Sequence, residues 1–213
     1  MGEIKEIFSV LPLEYEDVKE WCLFKHYAHR MPQVSYAYGL YRNRILEAIC
    51  TFGMPASPTL VRGAMGGAYM DNFLELNRLC ANDGLPRNAL SFFVGQCLKA
   101  LPKPMVVVSY ADSGHNHHGY IYQATNWIYT GMTKERTDIF VGEGKHQRHC
   151  EGKDRSIRQA RSAKYRYFQF LGDRRQKRDM MAHLQYPVVE DYPKGDNVRY
   201  DASYKPMYQG LLF

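Results

Sequence analysis

The strongest constraint on the fold is a nearly continuous apolar run, Met105–Tyr110. A strand without polar–apolar alternation is typical of a sheet that is covered on both faces. The run follows a segment in which apolar residues recur at helical intervals of three and four: Leu90, Phe93, Val94, Cys97, Leu98 and Leu101. Pro102 and Pro104 end that helix. An amphipathic helix that leads into a strand buried on both faces predicts a layered α/β domain.

The segments before this helix predict an alternation of strands and helices. They are a strand at Lys5–Leu11, a helix at Glu14–Arg30, a hairpin of Val34–Tyr41 and Ile45–Phe52 around a turn at Arg42–Asn43, a loop at Gly53–Met70 and a strand at Phe73–Cys80. In the last strand we expect Glu75 and Asn77 on the face opposite Leu74, Leu76 and Arg78. The resulting order, β-α-β-β-β-α-β, predicts a mixed sheet flanked by helices.

The positive charge of the chain is concentrated in one segment. The net charge is +6, but residues 134–178 carry 14 Lys and Arg against 6 Asp and Glu, a local charge of +8. This asymmetry predicts a polyanionic partner, nucleic acid before membrane, and the alternative is a solvated basic surface. This asymmetry separates a near-neutral body, residues 1–133, which also contains the candidate catalytic cluster described below, from the rest of the chain. Residues 134–213 are a basic segment with a strand at Lys164–Leu171, a helix at Asp173–Leu184 and a tail, which complete the same domain.

Composition excludes several classes of protein. A hydrophobic fraction of 45% with 14% aromatic residues supplies a core, which excludes global disorder. No run of about 18 apolar residues exists, and the amino terminus lacks the pattern of a secretory signal, so we expect no membrane span. The five cysteines are odd in number and far apart, which argues against a disulfide framework and against a zinc ribbon. We expect a cytoplasmic protein.

A cluster of polar side chains follows the buried strand. Ser109, Tyr110 and Asp112 end it, and Gly114 and Gly119 then bracket three histidines. In open α/β sheets, ligands bind beyond the carboxyl ends of the strands, where Asp112 and His115 would stand. A carboxylate beside an imidazole is a plausible general base, and the Tyr and Trp residues that follow can stack on a planar base. The alternative is that Asp112 caps the next helix and that the tyrosines are core residues.

A second group with metal-binding chemistry lies in the basic segment, at His146, His149 and Cys150. Imidazole and thiolate groups are good ligands for zinc or iron. The spacing lacks a matching second pair, however, which favours an exposed loop over a metal site. A metal beside Asp112 and His115 is an equal alternative, so the metal stays unknown.

Three stretches resemble one known family. The stretch VSYADSGHNHHGYIYQATNWIYTG resembles the Mom family of bacteriophage DNA adenine-modification proteins. LELNRLCANDGLPRNALSFFVG is similar to the strand and helix that precede the YAD motif in that family. KYRYFQFLGDRRQKRDMMAHLQYPVV, followed by YPKG, is similar to its carboxyl-terminal signature. The resemblance covers Tyr36–Lys194. The combination of the motifs is a specific signal for the family, whereas the YAD motif alone would be a weak one.

The resemblance implies a fold and an activity. The implied fold is that of the GNAT acetyltransferases, an α/β fold with a mixed sheet. The implied activity is the transfer of a carbamoylmethyl (acetamido) group to N6 of adenine in double-stranded DNA, which protects phage DNA from host restriction enzymes. Such a protein acts in the cytoplasm of the host cell and is encoded by a phage or prophage.

One departure from the GNAT pattern concerns the group donor. Typical members carry an Arg/Gln-x-x-Gly-x-Gly/Ala loop that holds the pyrophosphate of coenzyme A at a helix amino terminus. The corresponding turn here, Asn82–Asn88, lacks that spacing, which counts against acetyl-coenzyme A. A carbamoylmethyl group is also attached through a saturated carbon, which acetyl transfer does not explain. An amino-acid-derived donor, or a step assisted by iron or another divalent metal, is needed.

The implied activity assigns functions to the polar cluster after the buried strand, to two residues of the preceding strand and to the basic segment. The enzyme should flip adenine out of the duplex and stack it on Tyr110, Tyr122 or Trp127, while Gln123 or Asn126 reads the base edge. Asp112, helped by His115 or His118, would accept the N6 proton beside Ser109, and Glu75 and Arg78 would hold the donor. Phosphates would be bound by eight basic residues: Lys145, Arg148, Lys153, Arg155, Arg158, Arg161, Lys164 and Arg166.

Two alternatives remain open. The first is that the chain is a conventional acetyltransferase that acts on another substrate. The second is that it is a non-catalytic nucleic-acid-binding protein with the same fold. The polar cluster after Met105–Tyr110 favours an enzyme over a binding protein. The missing pyrophosphate loop and the basic segment count against the conventional acetyltransferase. The mixed exposure expected for Tyr and Met residues leaves room for a homodimer.

Overall fold

A seven-stranded mixed sheet organises the fold. The structure is a computed structural model and describes residues 2–142, 151–152, 154 and 156–196. The strands of the sheet are β1 (Phe8–Pro12), β2 (Tyr36–Arg42), β3 (Ile45–Gly53), β4 (Phe73–Ala81), β5 (Met105–Asp112), β6 (Ile128–Met132) and β9 (Lys164–Leu171). Their spatial order is β1-β2-β3-β4-β5-β9-β6. β4 and β5 run parallel, and the other neighbours in this sheet are antiparallel.

Helices cover both faces of the sheet. They are α1 (Gly2–Ile7), α2 (Tyr15–Glu20), α3 (Pro58–Met65), α4 (Ala89–Ala100), α5 (Tyr120–Ala124) and α6 (Arg174–His183). Phe93 of α4 packs in one cluster with Val107, while Met180 of α6 packs in another with Val106 and Val108. β5 is therefore buried on both faces, as its apolar run predicts. Within the described part of the chain, no helix is both long and apolar enough to cross a membrane.

Three sequence predictions were wrong in the first third of the chain. The predicted strand at Lys5–Leu11 begins only at Phe8, because α1 occupies the residues before it. The predicted helix at Glu14–Arg30 ends at Lys25 after a π-helical turn (Trp21–Lys25), and the chain is extended at His26. The predicted loop at 53–70 contains α3, whose Pro58 in the first turn and left-handed Gly66 after the last are ordinary helix signals.

The predicted elements around the candidate site are confirmed. The hairpin of β2 and β3 forms, with positive φ at Asn43 and Arg44, so its turn lies one residue later than expected. β4, α4, β5, β9 and α6 also form close to their predicted bounds. At α6 the Asp173 side chain accepts a hydrogen bond from the Gln176 N–H, and the Gln176 side chain accepts one from the Asp173 N–H. This capping box stabilises the first turn of α6.

The parallel strands β4 and β5 separate soon after they meet. They pair only over Phe73–Glu75 and Val106–Val108, although both strands continue for several residues beyond those ranges. The backbone groups on the facing edges therefore lose their strand partner, and a gap opens between the carboxyl halves of the two strands. This gap is the site of the cavity described below.

A β-bulge in β4 changes which side chains share a face. Thr51 of β3 pairs with Arg78, whereas the next residue of β3 pairs with Leu76, so Asn77 is the extra residue. One inserted residue reverses the alternation of side chains beyond it. Arg78 therefore lies on the face of Glu75, and the prediction that it shares a face with Leu74 and Leu76 was wrong.

Residues beyond 133 contribute to the main sheet. β9 lies between β5 and β6 and pairs along the whole of β5, from Met105 with Leu171 to Asp112 with Lys164. β7 (Arg136–Ile139) and β8 (Arg158–Arg161) pair with each other in a separate two-stranded sheet, called the ribbon below.

Candidate functional site

A cavity of about 570 Å³ occupies the gap between β4 and β5. It extends from the loop before α4 to the loop that follows β5. The lining comprises His26, Tyr27, Leu76–Leu79, Ala81–Asp83, Leu85–Asn88, Leu90, Ser91, Tyr110, Ala111, His117, Gly119–Tyr122 and Ala124. Its volume lies within the range of about 300–1,000 Å³ that is usual for small-molecule sites.

Ser109 joins the two strands where their backbone pairing ends. Its hydroxyl donates a hydrogen bond to the Leu76 carbonyl oxygen (2.9 Å) and lies 2.8 Å from the Tyr122 hydroxyl. Leu76 directly follows the last residue of β4 that pairs with β5, so the Ser109 side chain takes the place of a lost backbone partner. Burial raises the pKa of Tyr122, which keeps its phenol neutral. Ser109 is buried and supports the cavity wall through Tyr122.

A cluster of rings forms the wall beside β5. The Tyr27 ring centroid lies 4.4 Å from that of His26, 4.4 Å from that of His115 and 6.0 Å from that of His117. Burial, with the positive charge of Arg78, holds the pKa of His26 well below its usual range. Burial and the neighbouring His115 also lower the pKa of His117. Both cavity-lining imidazoles are therefore neutral near pH 7, and Nδ1 of His26 already accepts a hydrogen bond from the Ala28 N–H (3.1 Å).

The Asp112 carboxylate is a junction between two segments of the chain. Its Oδ1 accepts hydrogen bonds from the Gly114 N–H (3.0 Å) and from the Ser162 hydroxyl, and its Oδ2 lies 2.8 Å from Lys164 Nζ. Burial opposes ionisation of this group, but the hydrogen bonds from Lys164 and Ser162 outweigh it and lower the pKa of Asp112. Asp112 also caps the short 3₁₀ turn Ser113–His115, which was the alternative expectation.

A chain of buried polar groups fixes the far end of β4. Lys25 Nζ donates to the Asn82 side-chain oxygen, and Asn82 Nδ2 donates to Glu47 Oε2 (3.0 Å). Glu47 in turn binds Arg42 at 2.5 Å. Burial lowers the pKa of Lys25 to about 8. Because Asn82 lines the cavity, this chain holds the start of the β4–α4 loop in place.

Arg78 lies in the cavity wall as predicted, and its guanidinium is held by backbone carbonyls. Nη1 donates to the Asn77 oxygen (2.6 Å) and Nη2 to the Arg30 oxygen (3.0 Å), while its buried Nε has no hydrogen-bond partner among the described residues. Glu75 lies behind the lining, and burial raises the pKa of its carboxyl group although Arg78 opposes the shift. Burial also raises the pKa of Tyr110, with a contribution from Glu75.

Four predicted site residues lie outside the cavity lining. Gln123 donates to the His118 and Pro193 carbonyl oxygens (2.9 and 3.1 Å), so its amide is engaged. Trp127 is fully buried in the core, with its ring centroid 5.1 Å from that of Tyr122. Asn126 is exposed in the turn before β6. The His118 ring packs against Gly195 and Tyr165. The predicted contacts of Gln123, Asn126 and Trp127 with adenine are therefore not supported by their positions. His118, which was predicted to help Asp112 accept the proton, does not line the cavity.

Two of the predicted catalytic residues also lie apart from the lining. Asp112 is not a lining residue, its carboxylate is engaged by Gly114, Ser162 and Lys164, and its lowered pKa makes it a weak base. His115 is exposed and is not a lining residue, but its ring lies beside two lining residues, Tyr27 and His117. His26, Tyr27, His117 and Tyr120 line the cavity without having been predicted. His117 and Tyr120 belong to the same GHNHHGY stretch, but no local pattern points to His26 or Tyr27.

The predicted phosphate-binding residues fall into two groups. Lys145, Arg148, Lys153 and Arg155 lie outside the described residues. The other four bind groups of the protein itself: Arg158 binds Thr137, Arg161 binds Asp138, Lys164 binds Asp112, and Arg166 binds Thr130 and stacks on Tyr186. Lys164 and Arg166 are half-buried, so their main contacts are structural.

The structure gives no ligand set for a metal within the part of the chain that it describes. There, no group of three or more His, Cys, Asp or Glu side chains is arranged to hold an ion. His146, His149 and Cys150 lie outside the described residues, so the prediction about them stays a prediction.

The Mom protein family matches residues 8–188 of the chain, which therefore belongs to this family. A curated relative is the methylcarbamoylase Mom of Escherichia phage Mu. It is 27% identical over 189 residues, which cover 80% of this chain and 77% of the relative. The resemblance predicted from the YAD, GH and carboxyl-terminal motifs is confirmed.

Acetyltransferases are among the solved structures to which this chain is similar. An N-acetyltransferase from Staphylococcus aureus Mu50 is 11% identical, covers 78% of this chain and 99% of its own length, and gives a TM-score of 0.48. An acetyltransferase of the GNAT family from Bacillus cereus is 8% identical over 78% of this chain and 99% of its own, with a TM-score of 0.44. The strand order and the flanking helices confirm the predicted fold class as far as a mixed α/β sheet flanked by helices.

Asp112→Asn tests the charge of the junction. Because the pKa of Asp112 is lowered in the folded state, its ionised form contributes stability above about pH 4, and that contribution is lost as the pH falls further. We expect the variant to be less stable than the wild type at pH 7 and the difference in the free energy of unfolding to shrink below about pH 4. Urea unfolding at several pH values measures this. Asp71→Asn, at an exposed carboxylate, is the control; a difference for Asp112→Asn that does not change with pH would contradict the assignment.

Proposed function

We propose that this chain is a phage DNA-modification transferase that attaches a carbamoylmethyl group to N6 of adenine in double-stranded DNA and so protects the DNA from restriction. Membership of the Mom family and the methylcarbamoylase relative support the reaction class. The observation that carries the proposal is the cavity between β4 and β5, which joins neutral imidazoles to aromatic side chains. Such an enzyme acts in the cytoplasm of the host cell.

Adenine must leave the duplex to react in this cavity. The N6 amine takes part in base pairing, so an enzyme that modifies it extrudes the nucleotide, at a cost of a few kcal/mol. Tyr120 is suited to receive the base, because it lines the cavity while 54% of its surface is exposed. Tyr110 and Tyr122 line the inner wall. Trp127 is too deeply buried for this role.

His117 is the proton acceptor that the geometry favours. The reaction forms a bond between N6 and the transferred carbon, breaks the bond between that carbon and the donor, and sends the electron pair with the leaving group. One proton of N6 then moves to a base. His117 lines the cavity, and its lowered pKa leaves it unprotonated near pH 7. Asp112 positions the histidine loop, since its backbone oxygen accepts a hydrogen bond from the His117 N–H (3.1 Å).

The other end of the cavity suits an anionic part of the donor. The first N–H groups of a helix lack acceptors within the helix and carry partial positive charge. Ser91 in the first turn of α4 lines the cavity, and Arg87 lies beside it. These groups would hold the phosphates of a phosphate-bearing donor whose transferred carbon is saturated. Arg78, which also lines the cavity, would then meet the transferred group.

The chemical form of the product needs its own test. The relative is named for a methylcarbamoyl group, which is an isomer of the carbamoylmethyl group. A methylcarbamoyl group joins N6 through a carbonyl carbon, whereas a carbamoylmethyl group joins it through a saturated carbon. Both add C₂H₃NO to adenine, so mass alone does not separate them and fragmentation is required.

The first test is modification of DNA in cells. Plasmid from bacteria that express the wild-type protein is digested to nucleosides and analysed by tandem mass spectrometry. We expect a deoxyadenosine that is heavier by C₂H₃NO, and we expect His117→Gln to reduce its yield roughly a hundredfold or more because general-base catalysis typically contributes 10²–10⁴. His183→Gln, on α6, should leave the yield unchanged.

The outcomes of this test separate the candidates. Plasmid from cells that contain soluble wild-type protein is also incubated with that protein and with extract of phage-infected host cells as a source of the donor. A plasmid that stays unmodified after both treatments would contradict the proposal. A modified nucleoside with full yield from His117→Gln would leave the activity standing and overturn the assigned base. Fragments that retain a saturated carbon on N6 indicate carbamoylmethyl, and loss of methyl isocyanate indicates methylcarbamoyl.

Tyr120 provides a second test. We expect Tyr120→Ala to lower kcat/KM for duplex DNA by roughly tenfold to a hundredfold, since stacking of a base on an aromatic ring contributes about 1–3 kcal/mol. Tyr120→Phe should retain most of the activity because it keeps the ring. Tyr15→Ala is the control, since Tyr15 is exposed to a similar extent at the start of α2. Equal losses for Tyr120→Phe and Tyr120→Ala would show that the hydroxyl, rather than stacking, matters.

A further inference from the structure

The ribbon holds two arginines side by side on one face. Arg136 of β7 lies directly opposite Arg161 of β8, a pairing that is unfavourable between like charges. The buried Asp138 offsets the repulsion: Arg161 Nε lies 2.8 Å from its Oδ2 and Arg136 Nε 3.6 Å from its Oδ1. The Arg136 side chain is still 69% exposed. One carboxylate thus orders two guanidinium groups without neutralising both.

The other face of the ribbon carries a third ordered arginine. Arg158 Nε donates to the Thr137 hydroxyl (2.8 Å) and its Nη2 donates to the Thr137 carbonyl oxygen (2.7 Å). Arg158 is exposed. Three arginines against one aspartate leave the eight residues of the ribbon with a net positive charge, and side-chain hydrogen bonds hold the arginines on both faces.

The base of the ribbon is tied to the cavity. Ser162, which directly follows β8, donates to Asp112, and Lys164 forms an ion pair with the same carboxylate. The Ser113 hydroxyl donates to the Ala163 oxygen (2.6 Å). Asp112 and Ser113 begin the loop that carries His117 into the cavity wall. The ribbon therefore starts at the end of β5 where the cavity lies.

We propose that the ribbon enters the major groove of duplex DNA, with its arginines directed at phosphates on both sides of the groove. This inference rests on the proposed function and names the surface that holds its substrate. The major groove is about 12 Å wide and admits a two-stranded β-ribbon. Phosphate contacts of this kind set register and orientation on the duplex. A duplex bound in this way presents its bases next to the cavity.

The cations of α6 supply a matched comparison. Arg174, Arg175, Lys177 and Arg178 are exposed on this helix. α6 follows the end of β9 that pairs with Met105, at the opposite end of β5 from Asp112. The two ends of β5 are roughly 23 Å apart at the usual rise of a strand. A duplex held by α6 would therefore lie away from the cavity.

The test compares two double variants of equal charge. Binding of a fluorescent duplex to the full chain is measured by anisotropy at several salt concentrations. We expect Arg136→Gln with Arg158→Gln to weaken binding at least tenfold and to reduce the slope of log K against log salt by about 2, roughly one unit for each lost phosphate contact. Arg174→Gln with Arg175→Gln should change the slope by less than half as much.

The outcomes are distinct. Equal effects of the two double variants, or a larger effect of the α6 variant, would overturn the ribbon as the binding surface. The proposed function would still stand in that case if the wild type modifies the plasmid. Absence of both duplex binding and plasmid modification in the wild type would overturn both. Arg136→Lys with Arg158→Lys should keep the salt slope.

A measurement on the unmodified protein guards against variants that misfold. Hydrogen exchange with and without the duplex should show new protection of the amides of residues 136–139 and 158–161, and none in α6. Protection confined to α6 would overturn the proposal.

Discussion

The separation of β4 from β5 is the constraint on which the candidate site depends. Two parallel strands that stop pairing leave backbone groups without partners, and the fold must satisfy those groups or line a cavity with them. Ser109 satisfies the Leu76 carbonyl oxygen at the point of separation. The bulge at Asn77 then turns Arg78 into the gap. On its other edge β5 pairs with β9, which pairs in turn with β6, so the sheet holds β5 in place beside the gap.

Asp112 connects that framework to the elements that we propose to act on DNA. Its carboxylate receives hydrogen bonds from the start of the histidine loop and from the base of the ribbon, and Lys164 balances its charge. A buried carboxylate engaged in this way is a poor base. It connects the two segments firmly, because the loss of one partner would leave a buried charge unsatisfied and would destabilise the fold. We therefore propose that His117 accepts the proton and that Asp112 positions the histidine loop.

The parts of the fold with a strong local signal were predictable from the sequence. The helical period before Pro102 and the unbroken apolar run of β5 predicted α4, β5 and burial of β5 on both faces. The sequence also predicted a ligand site at the end of β5, and the cavity lies there, although two of its lining residues from that stretch, His117 and Tyr120, were not among the predicted site residues. The bulge at Asn77 places the Arg78 side chain on the opposite face of the sheet from the predicted one, and no recognisable signal in the sequence predicts this bulge. The approach of Tyr27 to His117 depends on tertiary packing, which periodicity does not encode.

The most direct test of the account is a crystal structure of the protein bound to a short duplex that contains adenines. We predict one adenine outside the base stack, in the cavity between β4 and β5 and against Tyr120, with β7 and β8 in the major groove. A complex in which the duplex keeps all its bases stacked and lies against α6 would contradict it.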